Sequence, residues 1–176
     1  EPHGIDAQPV QVLEALQREW QLEGLEVDLA VLRVLQTTLR EGGWKVTVAV
    51  HAGRQIVAVW PGLRERVYGM AVDVGSTTIA AHLCDLVSGE LAGSAGMMNP
   101  QIRFGEDLMS RVSYAMMNPG GAAQMTDAVR AALSALAAEV AAEAGVTPQD
   151  ILEMTLVGNP IMHHLVLGLD PVELGG

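Results

Sequence analysis

Along the chain the apolar positions change period several times, and each change marks an element. Val10, Leu13, Leu16 and Trp20 recur at helical spacing, which predicts an amphipathic helix over residues 10–21. Asp28 precedes a second run of this kind, with Leu29, Leu32, Val34 and Leu35, which ends near Leu39 ahead of Gly42-Gly43. An aspartate cap and a glycine stop therefore bound a second helix. From Trp44 the period drops to two. Residues 44–50 and 55–60 alternate as strands, and His51-Ala52-Gly53-Arg54 joins them as a hairpin loop. Pro61-Gly62 closes the unit, so residues 1–66 read as a small α+β domain with its linker. Residues 1–8, with Pro2 and Gly4, predict no fixed structure.

The second half opens on an apolar, β-branched run that begins at Val67 and ends on Asp73. The turn Gly75-Ser76-Thr77-Thr78 follows, and a further apolar run leads back to Leu86. Ser88-Gly89-Glu90 makes a second turn before a glycine-rich third strand at 91–97, which completes a meander. Residues 99–105 read as a loop and 106–116 as a helix. Asn118-Pro119-Gly120-Gly121 then breaks the chain before a long Ala-rich helix at 126–144, with Val129, Leu133, Leu136 and Val140 on one face. A short turn at Thr147-Pro148-Gln149-Asp150 precedes a buried strand at 154–157, and Gly158-Asn159-Pro160 opens a last helix. Three antiparallel strands, helices, a fourth strand and a helix form the beginning of a ribonuclease H-like α/β layout over residues 67–176. A fourth strand parallel to the first would bring Gly158 and Asn159 to the sheet edge that carries Asp73 and Gly75. Ligands of such sheets gather at the carboxyl ends of strands.

That edge holds the candidate chemistry. Gly75 lets a ligand approach the backbone, and successive N–H groups through Ser76, Thr77 and Thr78 can form an anion-binding nest with hydroxyls as further donors. Asp73, at the end of a buried strand, is an oxygen ligand for Mg²⁺ or one of its waters. A hairpin turn that uses Gly and Thr for geometry alone has the same residues, and the pattern leaves these two readings level. A P-loop is excluded, because no Gly-Lys-Ser/Thr follows and the chain returns as a strand.

Hydrophobic residues make up 49% of the 176 and aromatics only 3%, so the core must be mostly Leu, Val, Ala and Met. No apolar run is long enough for a bilayer and the start shows no signal pattern, which predicts a cytoplasmic protein. Cys84 is the single cysteine, so these residues cannot form an internal disulfide or an all-cysteine iron–sulfur or zinc site. A net charge of −11 argues against nucleic acid, which needs a basic face. The excess is local: residues 1–69 carry 7 basic against 9 acidic side chains, the remainder 3 against 12. An anionic nucleotide would thus rely on Mg²⁺ and backbone donors. Trp20, Trp44 and Trp60 read as core or packing anchors more readily than as stacking residues. His51 reads as solvated. Arg103, Glu106, Asp107 and Arg111 read either as cleft-lining or partner-contacting groups or as an acidic helix start with Asp107–Arg111 pairing at i,i+4. His163 and His164 point about 100° apart on a helix and so read as one packed and one exposed histidine rather than a joint metal site. Met97-Met98 and Met116-Met117 read as core or interface filler.

With these segments placed, the sequence from about residue 27 to 175 resembles the reductive activators of corrinoid proteins. The resemblance rests on the segments 69–78 (Gly-Met-Ala-Val-Asp-Val-Gly-Ser-Thr-Thr), 99–111 (Asn-Pro-Gln-Ile-Arg-Phe-Gly-Glu-Asp-Leu-Met-Ser-Arg) and 157–165 (Val-Gly-Asn-Pro-Ile-Met-His-His-Leu). The first segment alone points to the wider superfamily of acetate and sugar kinases, heat-shock chaperones and actin; the other two are more specific. The resemblance implies an actin-like ATPase half-domain at 67–176 and, at 27–62, the family's middle domain. It implies ATP-dependent electron transfer from an iron–sulfur cluster to a cobalt(II) corrinoid protein, restoring cobalt(I). Asp73 would be the Mg²⁺-associated carboxylate, Gly75, Ser76, Thr77 and Thr78 the first phosphate loop, and Gly158 and Asn159 would meet the γ-phosphate. The second phosphate loop, the adenosine-binding segment and the ferredoxin cysteines have no counterpart in the sequence, so these residues alone would bind ATP weakly or not at all. The corrinoid protein and ATP are the partners implied, and a homodimer stays open. The rival readings are an activator of a 2-hydroxyacyl-CoA dehydratase and a non-catalytic docking module.

Overall fold

The structure, a computed structural model, describes residues 9–175. The expectation for residues 1–8 lies outside them. The chain divides into two units between Glu65 and Arg66.

In the first unit, α1 (Pro9–Trp20) is followed by β1 (Glu26–Val27), α2 (Leu29–Glu41), β2 (Val46–His51) and β3 (Gln55–Pro61). Asp28 caps α2 as its position suggests: its Oδ1 accepts from the Ala30 N–H at 2.7 Å, and Oδ2 accepts from Gln55 Nε2 at 3.2 Å. One side chain thus satisfies a helix-end donor and ties the helix start to a strand. The strand order is β1-β3-β2, with β1 parallel to β3 and β2 antiparallel to it. Val31, Leu35 and Leu39 of α2 bury against Ile56 and Val59 of β3, joined by Leu16 of α1. Each aliphatic side chain buried in this way contributes roughly 1.5–3 kcal/mol. The tryptophans do not anchor this core as expected. Trp20 is 72% exposed at the last residue of α1, and Trp44 is 49% exposed at a corner where its φ is +68°. Trp60 is half-buried, with the Arg64 guanidinium 5.6 Å above its ring.

In the second unit, β4 (Tyr68–Val74), β5 (Thr78–Asp85) and β6 (Leu91–Met98) form the expected meander. Helices α3 (Leu108–Met117) and α4 (Gly121–Glu143), strand β7 (Ile151–Gly158) and helix α5 (Pro160–Leu167) follow. The sheet order is β6-β5-β4-β7, and β7 runs parallel to β4, as the ribonuclease H-like reading requires. Three boundaries differ from the pattern. Residues Pro100–Phe104 wind into a 3₁₀ turn rather than a loop, and α3 starts at Leu108 because Asp107 is its cap, accepting from the Ser110 N–H at 2.7 Å. Helix α4 begins five residues before the expected 126: only Gly120 takes a positive φ, whereas Gly121 packs beneath the Tyr114 ring. Strand β7 begins at Ile151, paired with Tyr68.

Alternation along β4 sends Tyr68, Met70, Val72 and Val74 to the face covered by α3, α4 and α5, where Val112, Leu136 and Leu165 meet them. Ala71, Asp73, His82, Thr155 and Val157 lie on the opposite face and are exposed. Among the described residues no helix is long and apolar enough to cross a membrane.

Candidate functional site

The parallel register of β4 and β7 pairs Asp73 with Val157 and Val74 with Gly158. Both strands therefore end at one sheet edge, and the 75–78 turn and Asn159 emerge there side by side. Asp73 is exposed on the uncovered face. Gly158, exposed, closes β7 so tightly that a Cβ would sit 3.0 Å from the Val74 carbonyl oxygen and 3.4 Å from Met162 Cβ. The side chain of Asn159 caps α5, its Oδ1 accepting from the Met162 N–H at 3.0 Å. Gly75 and Ser76 are half-buried, Thr77 and Thr78 exposed. A Cβ on Gly75 would lie 2.6 Å from the Thr78 carbonyl oxygen, so the turn as folded accepts glycine only.

What shapes the turn lies beneath it. The Gly75 carbonyl accepts from Asn99 Nδ2 at 2.8 Å, the Ser76 carbonyl from Arg111 Nη2, and the Thr77 carbonyl from the Asn99 backbone N–H at 2.8 Å. Three consecutive carbonyls are thus drawn to one scaffold. In a trans peptide the C=O and N–H point in opposite directions, and there is no cis bond among the described residues. The N–H groups of Ser76, Thr77 and Thr78 accordingly face away from that scaffold. Successive N–H groups of this kind are the donors that an anion-binding turn uses.

The scaffold itself is buried. Asn99, Gln101 and Arg111 have 1%, 0% and 0% of their surface exposed. Asn99 Oδ1 accepts from the Gln101 N–H at 2.9 Å, and Gln101 Nε2 donates to the Met125 carbonyl at 2.9 Å. Arg111 Nε donates to the Gly105 carbonyl at 3.0 Å, and Nη1 reaches Gln101 Oε1 and Met162 Sδ at 3.4 Å each. Burial lowers the Arg111 pKa, partly countered by the charge of Asp107.

Sequence reasoning underrated this layer. Arg111 is neither an exposed partner of Asp107 nor a cleft-lining group but an interior cation, and Asn99 and Gln101, read as loop residues, are its neighbours. The visible signal was the density of hydrogen-bonding side chains beside Pro100 and Gly105. Arg103 is exposed, with its guanidinium 4.6 Å above the Phe104 ring, and Glu106 is exposed. His163 is exposed, while the half-exposed His164 places Nδ1 2.9 Å from the Pro160 carbonyl. Met97 packs against the core, whereas Met98, Met116 and Met117 are exposed. Among the described residues no group of three or more metal-ligating side chains converges.

Two family models match the chain: the RACo linker region over residues 10–66 and the RACo middle region over residues 68–176. The first unit, expected to be the middle domain, therefore matches the linker, and the name "middle" falls on the second unit. The corrinoid activation enzyme RamQ of Eubacterium limosum is 31% identical over 150 residues, covering 84% of this chain and 25% of that protein. A solved structure, described as a reductive activator for corrinoid, iron–sulfur protein, aligns with a TM-score of 0.76 and 33% identity, covering 94% of this chain and 27% of that one. The chain thus spans about a quarter of the length of either relative.

Proposed function

The chain belongs to the reductive activators of corrinoid proteins, and from that membership we propose that it serves in returning a cobalt(II) corrinoid protein to cobalt(I) at the expense of ATP. The supporting observation is the 75–78 turn, whose three successive N–H groups face outward at the edge where β4 and β7 end. The groups present suit a nucleotide phosphate. The Ser76, Thr77 and Thr78 N–H groups, with the exposed threonine hydroxyls, would hold its oxygens, and Asp73 would hold Mg²⁺ or one of its waters. Bound Mg-ATP would supply the free-energy difference between two conformations with unequal affinity for the corrinoid partner.

An iron–sulfur cluster does not fit these residues. Cys84, half-buried within β5, is the single thiol in the sequence. The electron would therefore arrive from a cluster carried on other residues. Neither relative described above is named as acting on a 2-hydroxyacyl-CoA dehydratase, so the corrinoid reading is preferred to that rival.

Calorimetry of Mg-ATP with the full-length gene product tests the proposal, alongside absorbance of a cobalt(II) corrinoid protein under reductant with and without ATP. Heat of binding and ATP-dependent appearance of the cobalt(I) spectrum are expected. No heat would end the nucleotide reading and leave a docking module.

A further inference from the structure

Arg111 presents an electrostatic problem that the fold does not solve by itself. Its guanidinium is wholly buried, yet its hydrogen bonds go to the Gly105 and Ser76 carbonyls, the Gln101 side-chain oxygen and the Met162 sulfur, all neutral. Among the described residues no carboxylate forms an ion pair with it. The acid that bears on it is Asp107, an exposed residue whose Oδ1 is engaged by the Ser110 N–H. Buried charges are ordinarily paired, because desolvation is costly and a low-dielectric interior screens little. Here the positive charge lies under a turn whose three inward carbonyls leave the next three N–H groups facing the other way.

We propose that Arg111 is a positioning residue for an anion seated over the 75–78 turn. It pins the Ser76 carbonyl inward, and its uncancelled charge is balanced by a phosphate group on the turn's other side. The nucleotide reading above supplies only the owner of that phosphate; the pairing of Arg111 with an anion stands or falls separately. Asp73, exposed one residue before β4 ends at Val74, adds a negative charge near the same edge, which favours an anion that brings Mg²⁺.

The test uses Mg-pyrophosphate titrated into the ¹⁵N-labelled full-length gene product, followed by amide shifts, for wild type, Arg111→Gln and Arg111→Lys. In wild type the Ser76, Thr77 and Thr78 amides should move saturably. R111Q can keep at most the donor that meets the Gly105 carbonyl, loses both the charge and the reach to Ser76, and should weaken binding about tenfold, equivalent to about 1.4 kcal/mol. R111K keeps the charge and should stay within about threefold of wild type, less than the tenfold step of 1.4 kcal/mol. Circular dichroism verifies that both variants are folded. Three results overturn the proposal: no movement of these amides in wild type, R111Q binding like wild type, or R111K binding as weakly as R111Q. A pyrophosphate response joined to calorimetric silence toward Mg-ATP would keep the Arg111 role and remove the nucleotide.

Discussion

The two units each contain a hairpin, and the hairpins close by different means. Between β2 and β3 the turn holds itself: Ala52 and Gly53 take φ of 50° and 67°, and the Arg54 N–H reaches the His51 carbonyl at 3.0 Å. Between β4 and β5 the turn is held from outside, its three carbonyls drawn down by Asn99 and Arg111, which lie 22 to 35 residues away in sequence. A loop that serves only to reverse the chain needs nothing buried beneath it. When a fold commits an asparagine, a glutamine and an arginine to the interior to fix one face of a turn, the opposite face is the useful one.

The contrast is open to attack by substitution. Gly75→Ala should have the largest effect, about 3 kcal/mol lost in urea denaturation together with the pyrophosphate response, since the new Cβ would sit 2.6 Å from the Thr78 carbonyl oxygen. Asn99→Ala strips the Gly75 carbonyl and the Gln101 N–H of buried partners and should cost about 2 kcal/mol. In the self-held turn, Gly53→Ala enters open space and meets only the left-handed backbone, so about 1 kcal/mol is expected. A Gly53 variant as damaging as the Asn99 one would erase the distinction. The smallest effect concerns Asp107, whose pKa lies below the ordinary aspartate value because the Ser110 N–H favours the charged form. With the folded value below the unfolded one, its stabilising contribution is complete above the unfolded pKa and fades as pH falls through the folded one. Asp107→Asn should flatten that part of the acid limb; an unchanged limb would mean the charged form of the α3 cap adds no stability.

Much of this architecture could be read from the residues. Period-two runs located β2 and β3, apolar runs flanking a Gly-Ser-Thr turn located β4 and β5, Asp28 identified its own cap, and the meander with a parallel fourth strand followed from the order of elements. The two-residue β1 has no period to detect. The turn at 75–78 was legible because glycine and hydroxyl residues follow a buried strand. Its support was not, since Asn99, Gln101 and Arg111 look like polar loop and helix-surface residues until tertiary packing closes over them. An arginine four residues after an aspartate reads as a surface pair, and only three dimensions show the guanidinium turned inward to carbonyls.

The partition of indoles has a practical corollary for all these measurements. Trp20, Trp44 and Trp60 belong to the first unit, so tryptophan emission reports on that unit, whereas the second carries no indole of its own. Circular dichroism sums both. A variant that shifts the ellipticity transition while leaving fluorescence untouched has therefore acted in the second unit, and the two colours of readout apportion the damage without cutting the polypeptide.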